Sequence, residues 1–361
     1  MAVFIIAEAG VNHNGDAELA LALIDAAAKA GADAVKFQTF RADLVASATA
    51  AKARYQQRAV GSEGSQLAML RQLELSPALH HVLAERCRRT GIEFMSTAFD
   101  LPSLRLLVDA IGVRRLKIPS GEITNGPLLA AIAATTLPVI VSTGMSTLDD
   151  VADALGVLAT VWLTGTPPRS LSALRALATT PEARAILAER VVLLHCTTEY
   201  PAPIADLNLR AMKTLETAFG LPVGFSDHSE GTLMAVAAVA RDAVIIEKHF
   251  TLDRALPGPD HRASLTPDEL VRMVDDIRAV ELALGTGIKA PAASERANLP
   301  IARRSLIAAR ALVPGERFGP ETVTAKRPGA GLSPMRFWDL AGRCAQRGYE
   351  AEESIDEGEL S

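Results

Sequence analysis

Two short stretches decide the fold: Val223-Gly224-Phe225-Ser226-Asp227-His228-Ser229-Glu230, and further along the chain Ile245-Ile246-Glu247-Lys248-His249-Phe250. Each is an apolar run that ends in polar and ionisable residues, which is typical of a buried barrel strand whose carboxyl end opens onto a site. His228 and His249 are too far apart in sequence for one helical turn. On adjacent parallel strands, however, their imidazoles can reach one metal ion.

Six similar runs precede these two and alternate with helical stretches. They are predicted to be strands at residues 3–7, 34–37, 92–96, 115–118, 138–141 and 191–194. Eight short strands alternating with helices predict an α/β fold, a (β/α)₈ TIM barrel over residues 1–284. The connection from about residue 41 to 76 is expected to form a loop over the site. Residues 160–190 are expected to be an insertion, because they exceed what one helix requires.

The pattern changes after residue 284. Residues 285–300 contain several Gly and Pro residues and are predicted to be a linker. Residues 301–350 combine short strand-like runs with Gly/Pro turns, which predicts a small, mostly β domain. Residues 351–361 form an acidic tail, and disorder is expected from Glu350 to the last residue.

Composition excludes several function classes. The chain has 361 residues, 49% of them hydrophobic and 22% charged, with a net charge of -5. This composition lacks the surplus of Lys and Arg that is typical of nucleic-acid-binding proteins. The three cysteines support neither a disulfide framework nor a Cys-rich metal site, which fits a cytoplasmic location. No signal peptide is expected, because residues 1–7 lack a preceding basic segment and meet Glu8 too soon. No membrane span is expected, because the longest apolar stretch, residues 233–240, is too short.

Polar residues follow every predicted strand, and in an α/β barrel such side chains converge on one mouth. The candidate site residues there are Glu8, Lys36, Gln38, Thr97, Lys117, Ser120, Glu122, Ser142, Thr198, Tyr200, Ser226, His228 and His249. Burying Lys36 and Lys117 is costly without an anionic partner, which a phosphate or carboxylate ligand would supply. Three serines add hydroxyl donors suited to a phosphate.

Each of these residues also has a structural interpretation. A single strand-end Lys or Glu is more often half of an ion pair, and a strand-end Ser or Thr usually caps the next helix. Two histidines on neighbouring strands are about as often hydrogen-bonded barrel residues as metal ligands. All of these interpretations would have to hold together at one mouth, so the sequence favours a catalytic site.

A metal ion held by only two imidazoles would keep positions open for water and substrate, as catalytic metals do. Mn²⁺, Zn²⁺, Co²⁺ and Fe²⁺ all suit imidazole and oxygen ligands. A Lewis acid beside two lysines and a carboxylate fits polarisation of a carbonyl for attack by a phosphorylated carbon nucleophile. Hydrolysis is the alternative.

Eight motifs resemble those of the bacterial sialic acid synthases, which include the legionaminic and pseudaminic acid synthases. They are IAEAGVNHNG (6–15), VKFQT (35–39), KIPSGE (117–122), LHCTTEYP (194–201), FSDH (225–228), EKHFT (247–251), PGPD (257–260) and KRPG (326–329). They occur in order over nearly the whole chain. The domain after the barrel resembles the antifreeze-like (SAF) domain that these synthases append.

The resemblance implies condensation of phosphoenolpyruvate with the open-chain aldehyde of an N-acetylmannosamine-type sugar. The products would be a nine-carbon 2-keto acid and phosphate, released by C–O cleavage. His228 and His249 would bind Mn²⁺, and Glu8 would handle a proton of the attacking water or of the new alkoxide. Phosphoenolpyruvate would be held by Lys36, Thr97, Lys117, Ser120, Ser142 and Ser226, and the sugar hydroxyls by Gln38, Glu122, Tyr200 and Asp260.

The resemblance also implies a domain-swapped homodimer, in which the SAF domain caps the barrel of the partner subunit and Arg327 reaches the acceptor N-acetyl group. Thr198 replaces the Asn of some sialic acid synthases, which favours the legionaminic branch. A pseudaminic acid synthase and a barrel enzyme acting on a phosphorylated aldose are the enzymatic alternatives, the latter requiring a second phosphate site. A carbohydrate- or ice-binding protein is the non-enzymatic one, although Lys326 and Arg327 are unsuited to an uncharged ice-binding face.

Overall fold

The computed structural model describes residues 2–361 as two compact units that divide between Gly285 and Thr286. In the first unit eight parallel strands close into a barrel in chain order, so the predicted barrel is confirmed. The strands are β1 (Phe4–Gly10), β2 (Ala34–Thr39), β3 (Glu93–Ala98), β4 (Leu116–Ile118), β5 (Val139–Ser142), β6 (Val191–Cys196), β7 (Val223–Asp227) and β8 (Ile245–His249).

Helices alternate with the strands of the barrel along the chain. They are α1 (Ala17–Lys29), α2 (Ala42–Val45), α3 (Arg54–Val60), α4 (Gln66–Leu73), α5 (Pro77–Thr90), α6 (Leu101–Arg105), α7 (Gly126–Ala134), α8 (Leu148–Thr164), α9 (Leu171–Ala178), α10 (Pro181–Arg190), α11 (Ala211–Phe219), α12 (Leu233–Val239) and α13 (Pro267–Leu284). A π-helical turn, Leu106–Ile111, continues α6, and 3₁₀ turns span Ser120–Glu122, Ile204–Asp206 and His261–Ala263. Within residues 2–361 no helix is both long and apolar enough to span a membrane.

Alternation along the strands separates an apolar floor from a polar mouth. The inner floor is a buried cluster of Ile6, Ala34, Met95, Ile140, Leu194 and Ile245. Two residues further along each of these strands, on the same face, lie Glu8, Lys36, Thr97, Ser142, Cys196 and Glu247. The strands therefore carry their ionisable residues to one end of the barrel.

Strands β7 and β8 approach each other closely at Gly224. A Cβ atom at this position would lie 2.4 Å from the carbonyl oxygen of Ile245, a distance that no side chain tolerates. Ser226 pairs with Glu247 in the same ladder. This register places the carboxyl ends of the two strands side by side.

Two segments depart from the minimal barrel. The connection after β2 is not an irregular loop but carries α2, α3 and α4, held on the barrel by a small core of Val11, Phe40, Met69 and Leu73. The predicted insertion forms α9 and α10, which pack on α8. Arg175 of α9 makes two 2.7 Å hydrogen bonds to Asp153 of α8.

The second unit contains the antiparallel strands β9 (Ser305–Ala308) and β10 (Val323–Lys326), with the short helices α14 (Ala293–Arg296), α15 (Leu299–Ala302) and α16 (Phe337–Leu340) and 3₁₀ turns at Pro334–Arg336 and Glu357–Leu360. The expected disorder of the acidic tail is wrong. Ile355 is buried in the core of this unit, and the Tyr349 hydroxyl donates a 2.7 Å hydrogen bond to Glu359. The acidic composition of residues 351–361 did not indicate that Ile355 and Glu359 anchor the tail to this unit.

Candidate active site

Two lysines and two glutamates occupy the centre of the barrel mouth. Lys36 Nζ lies 2.6 Å from Glu8 Oε2 and 3.5 Å from Glu247 Oε2. Lys117 Nζ lies 3.3 Å from Glu247 Oε1. All four residues are 5% exposed or less. The sequence suggested that a phosphate or carboxylate ligand would supply the anionic partner of these lysines, but Glu8 and Glu247 already provide carboxylates.

The two glutamates differ in their affinity for a proton. Burial raises the pKa of Glu8, and Lys36 opposes this effect without overcoming it. Burial would also raise the pKa of Glu247, but Lys117, Lys36 and the Ser226 hydroxyl together hold that pKa below its ordinary value. Glu247 is thus the persistent carboxylate of the mouth, whereas Glu8 is the group that can accept and return a proton.

The two lysines also differ. Burial lowers the pKa of Lys117, and Glu247 offsets this only in part. For Lys36 the charges of Glu247 and Glu8 outweigh burial, so its pKa is raised. Lys36 is therefore a fixed cation. For Lys117 the neighbouring carboxylate offsets the cost of burying the charge less completely.

Hydroxyl groups surround this charged cluster. Lys36 Nζ donates to Thr97 Oγ1 at 3.2 Å, and Ser226 Oγ donates to Glu247 Oε1 at 2.8 Å. Ser120 Oγ accepts the Gly144 N–H at 3.0 Å. Ser142 Oγ is buried and has no hydrogen-bond partner among residues 2–361. A buried hydroxyl is normally hydrogen-bonded, so Ser142 is available to a ligand.

The imidazoles of His228 and His249 lie next to each other above the cluster, with ring centroids 5.5 Å apart. His228 Nδ1 lies 2.7 Å from the Thr197 carbonyl oxygen, to which it must donate, so Nε2 carries the lone pair. His249 Nδ1 is buried, makes no hydrogen bond to the part of the chain that the structure describes, and lies 3.9 Å from Asp260 Oδ2. The structure thus brings together the two histidines that the sequence singled out.

Both imidazoles are neutral at ordinary pH. Burial lowers the pKa of His228 to about 4. Burial and the neighbouring His228 lower the pKa of His249 well below its usual range. Neutral imidazole is the form that binds metals, and a ligand histidine normally donates its other N–H to an oxygen, as His228 does.

The residues fit a divalent ion that is open to substrate. Among residues 2–361 there is no group of three His, Cys, Asp or Glu side chains that could hold a metal. His228 Nε2, which lies 3.2 Å from Ser226 Oγ, and His249 Nδ1 could supply two imidazole ligands and would leave the remaining coordination positions to oxygen atoms of water or substrate. This is the donor set of a catalytic rather than a structural site.

The rim of the mouth holds the residues predicted to bind the sugar. Gln38 Nε2 donates to Glu8 Oε1 at 3.4 Å. Burial and the charge of Glu8 raise the pKa of Asp260 to about 7. Glu122 lies in the turn after β4, where its carboxylate accepts a 2.7 Å hydrogen bond from Asn125. Gln38 thus contacts Glu8 and Asp260 lies 3.9 Å from His249 Nδ1, whereas the only side-chain hydrogen bond of Glu122 within residues 2–361 is local.

Tyr200 packs on both histidines. Its ring centroid is 4.2 Å from that of His228 and 5.4 Å from that of His249. Thr198, two residues earlier, has a buried hydroxyl with no hydrogen-bond partner in the described residues 2–361. A Cβ on Gly144 would lie 2.3 Å from that hydroxyl, so the glycine makes room for it.

Arg327 belongs to the second unit, where its Nε donates a 2.8 Å hydrogen bond to the Ala302 carbonyl oxygen.

Sequence reasoning missed two residues of the mouth. Glu247 stands two positions before His249 on the same face of β8, and this alternation could have revealed it. Tyr55 of α3 lies 4.8 Å from Tyr200, ring centroid to ring centroid. It belongs to the long connection after β2, and its local sequence has no feature that predicts this contact.

Fold and site define a class, that of (β/α)₈-barrel enzymes whose mouth joins paired lysines and glutamates to two neutral histidines. The chain belongs to the NeuB family, which matches residues 23–289, and residues 303–357 match the SAF domain. The resemblance predicted from the motifs is thereby confirmed.

Similar proteins include two named N,N'-diacetyllegionaminic acid synthase. The one from Campylobacter jejuni is 44% identical over 353 residues, 98% of each chain, and the one from Legionella pneumophila is 45% identical over 342 residues, 95% of this chain and 90% of the other. The crystal structure of N-acetylneuraminic acid (sialic acid) synthetase from Leptospira borgpetersenii, in complex with citrate, is 35% identical. It aligns with a TM-score of 0.64 over 82% of this chain and 90% of that one.

Proposed function

We propose that this chain condenses phosphoenolpyruvate with a 2-acetamido sugar of the N-acetylmannosamine type, releasing phosphate and a nine-carbon 2-keto acid. The acceptor that we favour is the 2,4-diacetamido-6-deoxy sugar, which would make the chain an N,N'-diacetyllegionaminate synthase. One observation carries the proposal: the cluster of Lys36, Lys117, Glu8 and Glu247 lies directly below two neutral histidines. The similarity to two synthases of that name supports the choice of sugar.

The cluster is suited to an enol phosphate that carries a carboxylate. Lys117 has one carboxylate neighbour at 3.3 Å and keeps donor capacity for a ligand. The unpartnered Ser142 hydroxyl can donate to the same anion. We propose that these residues hold phosphoenolpyruvate together with Lys36, Thr97, Ser120 and Ser226.

Glu8 is proposed to move the protons. Carbon 3 of phosphoenolpyruvate forms a bond to the aldehyde carbon, and the resulting alkoxide takes a proton from protonated Glu8. Water then adds to carbon 2, returning a proton to Glu8. The bond between carbon 2 and the phosphate oxygen breaks as the new carbon-2 hydroxyl gives its proton to the departing phosphate and becomes the keto oxygen. Phosphoenolpyruvate, aldehyde and water thus give keto acid and phosphate in balance. The raised pKa of Glu8 suits both steps.

We propose that His228 and His249 hold the metal, and that this is Mn²⁺. When bound there, the ion would polarise the aldehyde carbonyl as a Lewis acid. The chain's own contribution is orientation, since the Thr197 carbonyl fixes the His228 ring and Tyr200 packs on both imidazoles. The sugar hydroxyls are proposed to bind to Gln38, Glu122, Tyr200 and Asp260. The Thr198 hydroxyl is proposed to contact the part of the sugar that lies nearest to it.

Assembly follows from the family resemblance. We propose a cytoplasmic, domain-swapped homodimer in which the SAF domain of one copy completes the barrel mouth of the other. Arg327 would then donate to the N-acetyl group of the acceptor.

The test is phosphate release from phosphoenolpyruvate with three acceptors: N-acetylmannosamine, its 2,4-diacetamido-6-deoxy counterpart and the altrose isomer of that sugar. The highest kcat/KM is expected with the second sugar, and a chelator should abolish release until Mn²⁺ is restored. The variant His249→Asn should be inactive, whereas His81→Asn, at an exposed position, should not. A preference for the altrose isomer would indicate a pseudaminic acid synthase. No release with any of the three would overturn the proposal.

A further inference from the structure

Helix α3 lies at the rim of the barrel mouth and is preformed by its own contacts. The Lys52 ammonium donates to the carbonyl oxygen of Gly61 at 3.0 Å and also to that of Glu63, which closes the loop around the helix. The Ala53 N–H at the start of α3 donates to Gln56 Oε1 at 2.9 Å. A segment so well satisfied in its hydrogen bonds has a defined conformation, so its side chains are presented at fixed positions.

Two contacts join α3 to the loop that follows β6. Tyr55 packs on Tyr200 with ring centroids 4.8 Å apart and an interplanar angle of 39°. One turn further along α3, Arg58 forms an ion pair with Glu199. Because the partners are adjacent in that loop, α3 sits directly over the side of the mouth that contains Tyr200.

Tyr55 lies on the side of the mouth that contains Tyr200, on which it packs. Burial, and after it the charge of Asp260, raise the pKa of the Tyr55 phenol. Tyr200 and Asp260 are the residues proposed to bind sugar hydroxyls. Lys36 and Lys117, by contrast, extend from the strands into the buried centre of the mouth.

The Tyr55 side chain offers an unused donor and an apolar ring. Within residues 2–361 the hydroxyl has one hydrogen-bond partner, Gln56 Nε2, which donates to the phenol oxygen at 3.4 Å and leaves the phenol proton available. An acetamido group presents the matching surface, a carbonyl acceptor next to a methyl group. Tyrosine commonly recognises such groups, because it combines both kinds of contact with little loss of conformational freedom.

We propose that Tyr55 is a positioning and specificity residue for the acceptor, contacting an acetamido group of the sugar from above Tyr200. The inference rests on the proposed function, since it names the part of that sugar which α3 recognises. Nothing in it involves phosphoenolpyruvate. The binding of the two substrates should therefore respond differently when Tyr55 is changed.

The experiment compares Tyr55→Ala and Tyr55→Phe with the control Arg54→Ala, which alters an exposed neighbour on the same helix. With full-length enzyme, Tyr55→Ala should raise KM for the diacetamido sugar by about tenfold or more, a loss of one good contact. KM for phosphoenolpyruvate should change less than about twofold. Tyr55→Phe should recover part of the loss, since the ring is kept, and Arg54→Ala should behave as wild type.

Sugar binding is also measured by calorimetry without phosphoenolpyruvate, so the inference does not depend on turnover. Weaker binding by Tyr55→Ala, at an unchanged thermal midpoint, supports it even if phosphate release fails. Unchanged sugar affinity, or an equal rise in KM for both substrates, would overturn it. Wild-type enzyme that binds the sugar but releases no phosphate would instead contradict the proposed function alone.

Discussion

At the scale of single residues, the mouth is organised by Glu247. Its carboxylate accepts the Ser226 hydroxyl and lies between Lys36 and Lys117, which are otherwise too close to share a buried site. A buried cation left without its partner costs several kcal/mol. Glu247 therefore favours the charged form of both lysines, and its own charge adds to burial in raising the pKa of Glu8.

Replacing Glu247 by Gln tests this role. The change keeps the shape but removes the negative charge, so the unfolding free energy should fall by about 3 kcal/mol and kcat by about 100-fold. Denaturant unfolding and steady-state kinetics measure the two effects. Glu230→Gln, at an exposed position on the loop after β7, is the matched control. Wild-type kcat in Glu247→Gln would contradict the assignment.

A buried histidine outside the mouth predicts a pH effect on stability. Burial, aided by His80 and His261, lowers the pKa of His13 to about 4. The unfolded chain takes up this proton near pH 6.5, so the native state loses stability as pH falls from there towards 4. His13 should account for a loss on the order of 2 to 3 kcal/mol at pH 4.5.

The variant His13→Asn measures that loss. Asn can still accept the N–H of Gly15, as His13 Nδ1 does at 2.9 Å, but it takes up no proton. Urea unfolding at pH 7 and pH 4.5 should show a smaller decrease in the variant than in wild type. His81→Asn is the control at an exposed position. An identical decrease in His13→Asn and wild type would show that His13 does not contribute.

At the scale of elements, β7 and β8 hold the two histidines in place by a buried ion pair behind the mouth. Lys248 Nζ donates to Asp227 Oδ2 at 2.9 Å and also to the Ser229 carbonyl oxygen. Both ionised side chains are fully buried. Each residue is the direct neighbour of a histidine, so the pair fixes the ends of both strands.

Lys248→Met should leave Asp227 as an uncompensated buried charge and lower the unfolding free energy by about 3 to 5 kcal/mol. The double variant Lys248→Met with Asp227→Leu should recover part of this stability, because it removes both charges. Thermal and denaturant unfolding of wild type, the single variant and the double variant measure these effects. A Lys248→Met variant as stable as wild type would mean that the ion pair does not stabilise the ends of β7 and β8.

The sequence predicted the existence of the barrel strands better than the residues at which they end. β1 was predicted to stop before Glu8 but continues to Gly10, and β3 was predicted to stop at Ser96 but continues through Thr97 to Ala98. The apolar pattern ends where the site begins, yet the backbone ladder continues because these polar side chains point into a protein-lined mouth. The register that pairs Glu8 with Lys36 and with His249 depends on barrel closure, which no local pattern encodes.

At the scale of the whole molecule, the second unit depends on the last residues of the chain. The Ile355 N–H donates to the Leu306 carbonyl oxygen at 3.0 Å, and the Ala308 N–H donates to Glu353 O at 2.8 Å. The tail therefore acts as part of the core of this unit. Its charge pattern suggested disorder because the sequence does not show which apolar residue becomes buried.

Ile355→Ser should lower the stability of this unit by about 2 to 5 kcal/mol, the usual cost of removing a large buried aliphatic side chain. Hydrogen exchange read by mass spectrometry should then show faster exchange at the Ala308 amide, while barrel peptides keep wild-type protection. Glu357→Gln, at an exposed site, is the control. Unchanged protection of the Ala308 amide in Ile355→Ser would instead support the prediction of a disordered tail.

The reaction itself is tested most directly by the fate of the bridging oxygen of phosphoenolpyruvate. Enzyme supplied with Mn²⁺, the diacetamido sugar and phosphoenolpyruvate labelled with ¹⁸O at that position should release phosphate that carries the label, because the bond between carbon 2 and oxygen breaks. Mass spectrometry of the phosphate and of the nine-carbon acid gives the answer. Unlabelled phosphate, or none at all, would contradict the account of the barrel mouth.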